Sequence, residues 1–175
     1  MATDNTGSNT KIATGMLAEL ENENATTRRF LDRVPGDKLD WRPHDKSMTC
    51  GQLAHHIASI QKGVLSLALS ENPTLPDFGE TYQPAEKSEI LNALNESIEY
   101  VSKTLPSVDD ARMHSLLQIK KDGKIVMELP LVGFIRAVML NHLYHHRGQL
   151  GVYLRLIGVA VPWSYGPSGD EAPFN

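Results

Sequence analysis

The sequence predicts an all-α protein, a four-helix bundle with a small β-hairpin between its third and fourth helices. Four stretches place apolar residues at three- and four-residue steps, the spacing of one face of an α-helix. No strand-like runs alternate with those stretches, which argues against the α/β architectures. The one segment of different character surrounds Asp122-Gly123, a dipeptide suited to a tight hairpin turn.

Residues 1–10 are polar and rich in Gly, Ser, Thr and Asn, so a frayed terminus is expected there and one domain over 11–175. Helix one runs from Lys11 to Val34 on Ile12, Met16, Leu17, Leu20, Phe30, Leu31 and Val34, and Pro35-Gly36 ends it. A charged connection holding Trp41 and Pro43 comes next. Ser47 and Thr49 then offer caps for helix two, about Thr49 to Leu69. The segment from Asn72 to Pro84 contains three prolines and a glycine, so it is a long loop, expected over one end of the bundle. Ile90, Leu91, Leu94, Ile98, Val101 and Leu105 mark helix three, Ala85 to Leu105, with Pro106 beyond it. The hairpin falls within Ser115 to Leu129. Helix four runs from Leu131 to Ile157, with a break expected near Gly148 or Gly151 and a stop at Gly158.

Bulk properties narrow the function. A chain of 175 residues, 41% hydrophobic, suffices for one sizeable core. The net charge is -4 and the Lys and Arg residues are scattered, so no basic stripe awaits a phosphate backbone and nucleic acid is not an expected partner. Neither a membrane-spanning apolar run nor a signal-peptide pattern is present, which predicts a cytoplasmic protein with no membrane partner. Cys50 is the single cysteine, so any metal must be held by His and carboxylates.

The chain has seven histidines, and five fall in two helical clusters, His55 with His56 and His142 with His145 and His146. On a helical wheel, His56 shares the buried face of Leu53, Ile57, Ile60, Val64 and Leu67, whereas His55 turns to its edge. His142 shares a face with Leu131, Ile135, Val138 and Gln149, and His145 and His146 straddle that face, so either could pair with His142. A single helical His is usually a hydrogen-bonded rim or core residue. Three imidazoles aimed at one interior instead need a shared partner, because each buried polar ring must be satisfied. Two imidazoles one turn apart and a third from another helix make a three-His metal site with positions left open, as in catalytic rather than structural centres.

Helix four reads H-x-x-x-H-R-G-Q-L from His142 to Leu150 and continues as GVYLRLIGVAVPWSYGPSGDE, and helix two contains GQLAHHIASI after LDWRPHDKSMT. Together these segments resemble the DinB/YfiT superfamily over nearly the whole chain after Lys11. The resemblance implies a four-helix bundle, often homodimeric, in which three His bind a divalent transition metal such as Zn, Ni or Mn. It places the ligands at His56, which precedes the small apolar pair Ile57-Ala58, at His142, and at His146 rather than His145. Members with assigned chemistry include S-transferases using bacillithiol or mycothiol and a maleylpyruvate isomerase. The family name does not imply DNA binding.

Around the metal pair, Gln149 is the better candidate to orient a ligand ring, with Arg147 equally suited to a structural ion pair. His145 and Tyr153 are further pocket candidates, Tyr144 and Trp41 are read as packing residues, and His44 and His114 as solvated. Cys50 starts a helix but has no base near it in sequence, and is read as incidental. The stretch 165–170, YGPSGD, is expected over the site mouth or at a dimer contact. The expected function is metal-assisted activation of a small-molecule thiol or water against an electrophile, with a low-molecular-weight thiol as cosubstrate. The alternative is a non-catalytic metal or small-ligand binding protein whose metal face is capped.

Overall fold

Thr49 starts a helix where the sequence offers a cap. In the computed structural model, which describes residues 9–77 and 81–173, the Thr49 hydroxyl accepts from the Gln52 backbone N–H at 3.1 Å. The Gln52 carbonyl Oε1 accepts from the Thr49 backbone N–H at 2.9 Å. This reciprocal box opens α2, Cys50–Leu69. The preceding connection folds back on that end, with Cys50 N–H donating to Trp41 O at 2.7 Å and Gly51 N–H to Leu39 O at 2.9 Å. Position 51 has to be Gly for this approach, because a Cβ there would lie 3.0 Å from the Leu39 carbonyl oxygen.

Before it, α1 spans Lys11–Asp32 and buries Met16, Leu20, Thr27, Phe30 and Leu31. It ends two residues earlier than the apolar pattern suggests. Pro35 disfavours helical geometry at Val34, so the chain tightens, with Arg33 N–H to Phe30 O and Val34 N–H to Leu31 O, both 3.1 Å. Of the terminus expected to fray, residues 1–8 lie outside the described residues; Asn9 is tied down, its carbonyl accepting from Asp110 N–H at 2.7 Å. After α2 comes α3, Lys87–Thr104, which starts late because the Glu89 carboxylate accepts from the backbone N–H groups of Ala85 and Glu86, both at 2.9 Å. A short helix α4, Asp110–His114, was not visible in the apolar spacing; Asp109 caps it through Arg112 N–H at 2.7 Å. It carries His114, which is exposed as expected.

The hairpin is present, β1 at Leu116–Lys121 and β2 at Lys124–Pro130, antiparallel, with Leu117 opposite Leu129 and Ile119 opposite Met127. Asp122 and Gly123 turn it with φ of 50° and 74°, the positive values that a primed turn needs. Leu117 and Ile119 point into the core. The loop after α2 clips onto the free side of β1, with Leu75 N–H to Lys120 O at 2.8 Å and Lys120 N–H to Pro73 O at 2.9 Å.

Pro130 leads into the last long helix, which is not uniform. It consists of α5, Leu131–Phe134, a π-helical segment, Ile135–Asn141, and α6, His142–Leu156. The break expected at Gly148 or Gly151 is absent. Gly151 instead permits close packing on α1, since a Cβ there would meet the Phe30 ring at 3.3 Å. Gly158, with φ 75°, stops the helix where predicted. The fold is thus mostly helical with one small hairpin. Side chains from α1, α2, α3 and the last helix share a hydrophobic cluster that also takes in Leu117 and Ile119. None of the described helices is long and apolar enough to cross a membrane.

Candidate metal centre

The last helix changes winding directly before His142. A π turn carries more residues than an α turn, so everything after Asn141 is rotated relative to a regular wheel. His142 and Gln149 are thereby moved from the core-facing stripe to its edge, half-buried and exposed respectively. At that edge His142 meets His56 of α2, 86 residues away in sequence, with Nε2 atoms 3.4 Å apart. His146, one turn on, places its Nε2 2.8 Å from that of His142. One ring nitrogen from each of the three lies within 4.8 Å of the other two. His145, the alternative partner, is exposed and stacks edge-on to His146 at 4.9 Å between ring centres.

The outer nitrogens decide what the inner ones can do. His142 Nδ1 faces the Val138 carbonyl oxygen at 3.3 Å, and His146 Nδ1 faces the Gln149 carbonyl Oε1 at 2.7 Å. The Val138 carbonyl can only accept, so in the neutral ring His142 Nδ1 carries the hydrogen and Nε2 a bare lone pair; the Gln149 amide, with its oxygen toward His146, sets that ring the same way. So set, the two lone pairs face each other across 2.8 Å, an arrangement that a shared cation stabilises. A proton is a poor candidate. Burial is the main cause holding all three imidazoles below their ordinary basicity, and for His56, where the neighbouring His146 and His142 add to it, the pKa is pushed down to about 4. The donor set, three neutral imidazoles with two of them oriented from behind, fits a divalent transition metal.

The profile of the DinB superfamily matches residues 19–150. The chain belongs to the DinB superfamily. It is 24% identical over 163 residues to the uncharacterized protein YrdA of Bacillus subtilis strain 168, covering 89% of each chain. Among solved structures, a DinB-like protein from Bacillus cereus ATCC 10987 matches with a TM-score of 0.68 at 24% identity, covering 87% of this chain and 97% of that one. The DinB-like protein YjoA of Bacillus subtilis matches with a TM-score of 0.64 at 16% identity, over 85% and 96% of the two chains. At these identities the structural likeness concerns the fold.

In this DinB superfamily member the triad opens on one side into a cavity of about 590 Å³ between α2 and the last helix. His56 and His142 stand in its wall. The hairpin and the loop at Thr74, Leu75 and Pro76 close its other side. Sequence reasoning missed this space, because three segments distant in the chain create it.

The remaining candidates divide. Gln149 meets His146, its Oε1 lying 2.7 Å from the ring Nδ1. Arg147 lies elsewhere: it is buried against α1, paired with Glu23 Oε2 at 2.6 Å, donating to Thr27 Oγ1 at 3.3 Å and to the Tyr165 hydroxyl at 2.8 Å. Its role is the structural ion pair, and Glu23 is the partner that the sequence did not single out. Tyr153 is also structural, its hydroxyl donating to Met48 O at 3.2 Å and its ring meeting Trp41 edge-on at 5.6 Å. Tyr144 donates to Glu19 Oε1 at 2.8 Å, alongside the Arg136 guanidinium that holds the Glu19 carboxyl below its usual range. The 165–170 stretch packs on Arg147 and Arg155, and among the described residues its hydrogen bonds do not reach the triad. Cys50 is fully buried, and burial pushes its thiol pKa up to about 11, so it is no nucleophile.

Proposed function

We propose that this protein is a metal-dependent enzyme built on a four-helix bundle of DinB type, in which His56, His142 and His146 hold one divalent ion such as Zn, Ni or Mn for reaction of a small thiol or water. The observation that carries the reading is the convergence of one ring nitrogen each from His56, His142 and His146 within 4.8 Å of one another, those of His142 and His146 being 2.8 Å apart. A bound ion supplies a Lewis acid that makes a coordinated thiol or water acidic at neutral pH. The protein's own groups do the rest. Val138 O and Gln149 Oε1 fix the tautomers of two ligand rings and aim their lone pairs inward. Ile60, Val64 and Phe134 give the adjoining cavity apolar walls, which keep bulk water from the reacting group. That open space favours the catalytic reading over a capped, purely binding site.

Metal analysis of untagged protein, purified without chelator or nickel resin, tests this alongside His56→Ala and His142→Ala. About one ion per chain, lost in both variants, is expected. Metal-free wild type that also fails to take up added Zn or Ni would sink the proposal.

A further inference from the structure

The cavity beside the triad has a polarity along its length. On α2 it runs from His56 through Ile60 and Val64 to Leu67, roughly 16 Å at the rise of an α-helix. On the last helix it runs in the opposite chain direction, from His142 through Val138 to Phe134. The histidines therefore stand at one end and Leu67 and Phe134 at the other. Across from them, Leu75, Ile119 and Met127 complete an apolar lining that, among the described residues, contains no Asp, Glu, Lys or Arg.

Its two hydroxyls are already engaged. Ser59 Oγ donates to the His55 carbonyl at 2.9 Å and Thr74 Oγ1 to the Asn72 carbonyl at 3.1 Å. A charged group pushed past Ser59 would lose its hydration and find only the spare lone pairs of two hydroxyls in exchange. An apolar body would be buried on all sides that the cavity encloses, in a volume suited to an ordinary small-molecule ligand.

We infer that the ligand of this site is an elongated amphiphile, with one metal-binding head at the triad and an apolar body lying along α2 toward Leu67. This rests on the metal reading for the head, and on the cavity alone for the body. It selects against cosubstrates that carry charge away from the reacting thiol, unless that part stays outside.

The test uses cobalt(II)-loaded protein and the series butanethiol, hexanethiol and octanethiol, followed by the thiolate-to-cobalt absorption, with the thiol proton released to buffer. The matching alkanols are titrated calorimetrically into metal-free protein. Affinity is expected to rise about fourfold for each added methylene, the equivalent of about 0.8 kcal/mol. Gly63, two turns beyond His56, lines the cavity, and a Cβ added there would meet nothing within 4 Å. Gly63→Leu should fold, since it replaces a helical glycine, and should narrow the far half of the cavity. It is expected to weaken octanethiol by tenfold or more while leaving the cobalt spectrum of the ligand-free protein intact. Affinity independent of chain length in both series, or octyl binding unchanged by Gly63→Leu, would overturn the inference. If cobalt is not bound but alkanol affinity still grows with length and falls in Gly63→Leu, the cavity assignment stands and the metal reading fails.

Discussion

Gln149 does not line the cavity, yet it faces a ring of the triad. Its Oε1 accepts the His146 Nδ1 hydrogen at 2.7 Å. Gln149→Leu removes that acceptor, frees the ring to rotate and lets the hydrogen move to Nε2. Because Gln149 is exposed, water takes over part of its work, and a loss of metal affinity of about tenfold is expected, the low end for such supporting residues. Competitive titration against a chromogenic chelator measures it; an unchanged constant would return Gln149 to the solvated surface. A second consequence stems from His56, whose folded pKa of about 4 lies below the ordinary 6.5. Between those values the unfolded chain binds a proton that the folded chain refuses, so stability is full above 6.5 and is lost as pH falls toward 4. His142 and His146 are shifted in the same direction and add to it. The urea midpoint of metal-free protein should therefore fall between neutrality and about pH 5, before most carboxylates titrate, and His56→Gln should flatten the slope. The inward aim of His56 was legible from its apolar neighbours. The choice between His145 and His146 was not, because both flank His142 on a wheel and only the resemblance separated them.

At the scale of elements, the periodic signal located the four long helices, each of which buries a repeating face, and the Asp122-Gly123 turn located the hairpin, whose second strand buries none. It missed α4, which is shorter than two turns, and the π segment at Ile135–Asn141, which leaves the apolar spacing almost undisturbed while rotating the helix beyond it. That rotation explains why Gln149 is exposed although a regular wheel aligns it with Leu131 and Ile135. Arg147 belongs here too, since it fastens α6 to α1 through Glu23 and draws Tyr165 onto the same carboxylate, the Tyr hydroxyl donating to Glu23 Oε2 at 3.1 Å. The Arg147 side chain is 2% exposed and that of Glu23 15%. Glu23→Ala would strand a buried guanidinium, and a loss of roughly 3–5 kcal/mol is expected from urea unfolding. Arg136, on the π-helical segment, and Glu19 join the last long helix to α1 with two 2.7 Å hydrogen bonds, but their side chains are 46% and 33% exposed. Arg136→Ala should cost under about 1 kcal/mol. Equal losses would mean that burial does not set the difference between the two bridges.

For the whole molecule, the triad is a bridge between α2 and α6 that joins His56 to His142 across 86 residues of chain. Sequence alone placed both His segments on helices and left their meeting to the fold; the cavity, shaped by two helices, a hairpin and a proline-rich loop, had no local trace. An ion held at that bridge binds the folded chain and finds no preformed site in the unfolded one, so occupancy adds to global stability. With free metal at one hundred times the dissociation constant the gain is about 2.7 kcal/mol, which for a chain of this size raises the unfolding temperature by roughly 5–10 °C. Added zinc should produce that shift in wild-type protein, and a chelator should reverse it. His146→Ala leaves two imidazoles on different helices and should abolish most of the shift while altering the metal-free unfolding temperature little, because His146 sits at the edge of the core rather than within it. A full shift surviving in His146→Ala would move the ion to a different set of ligands.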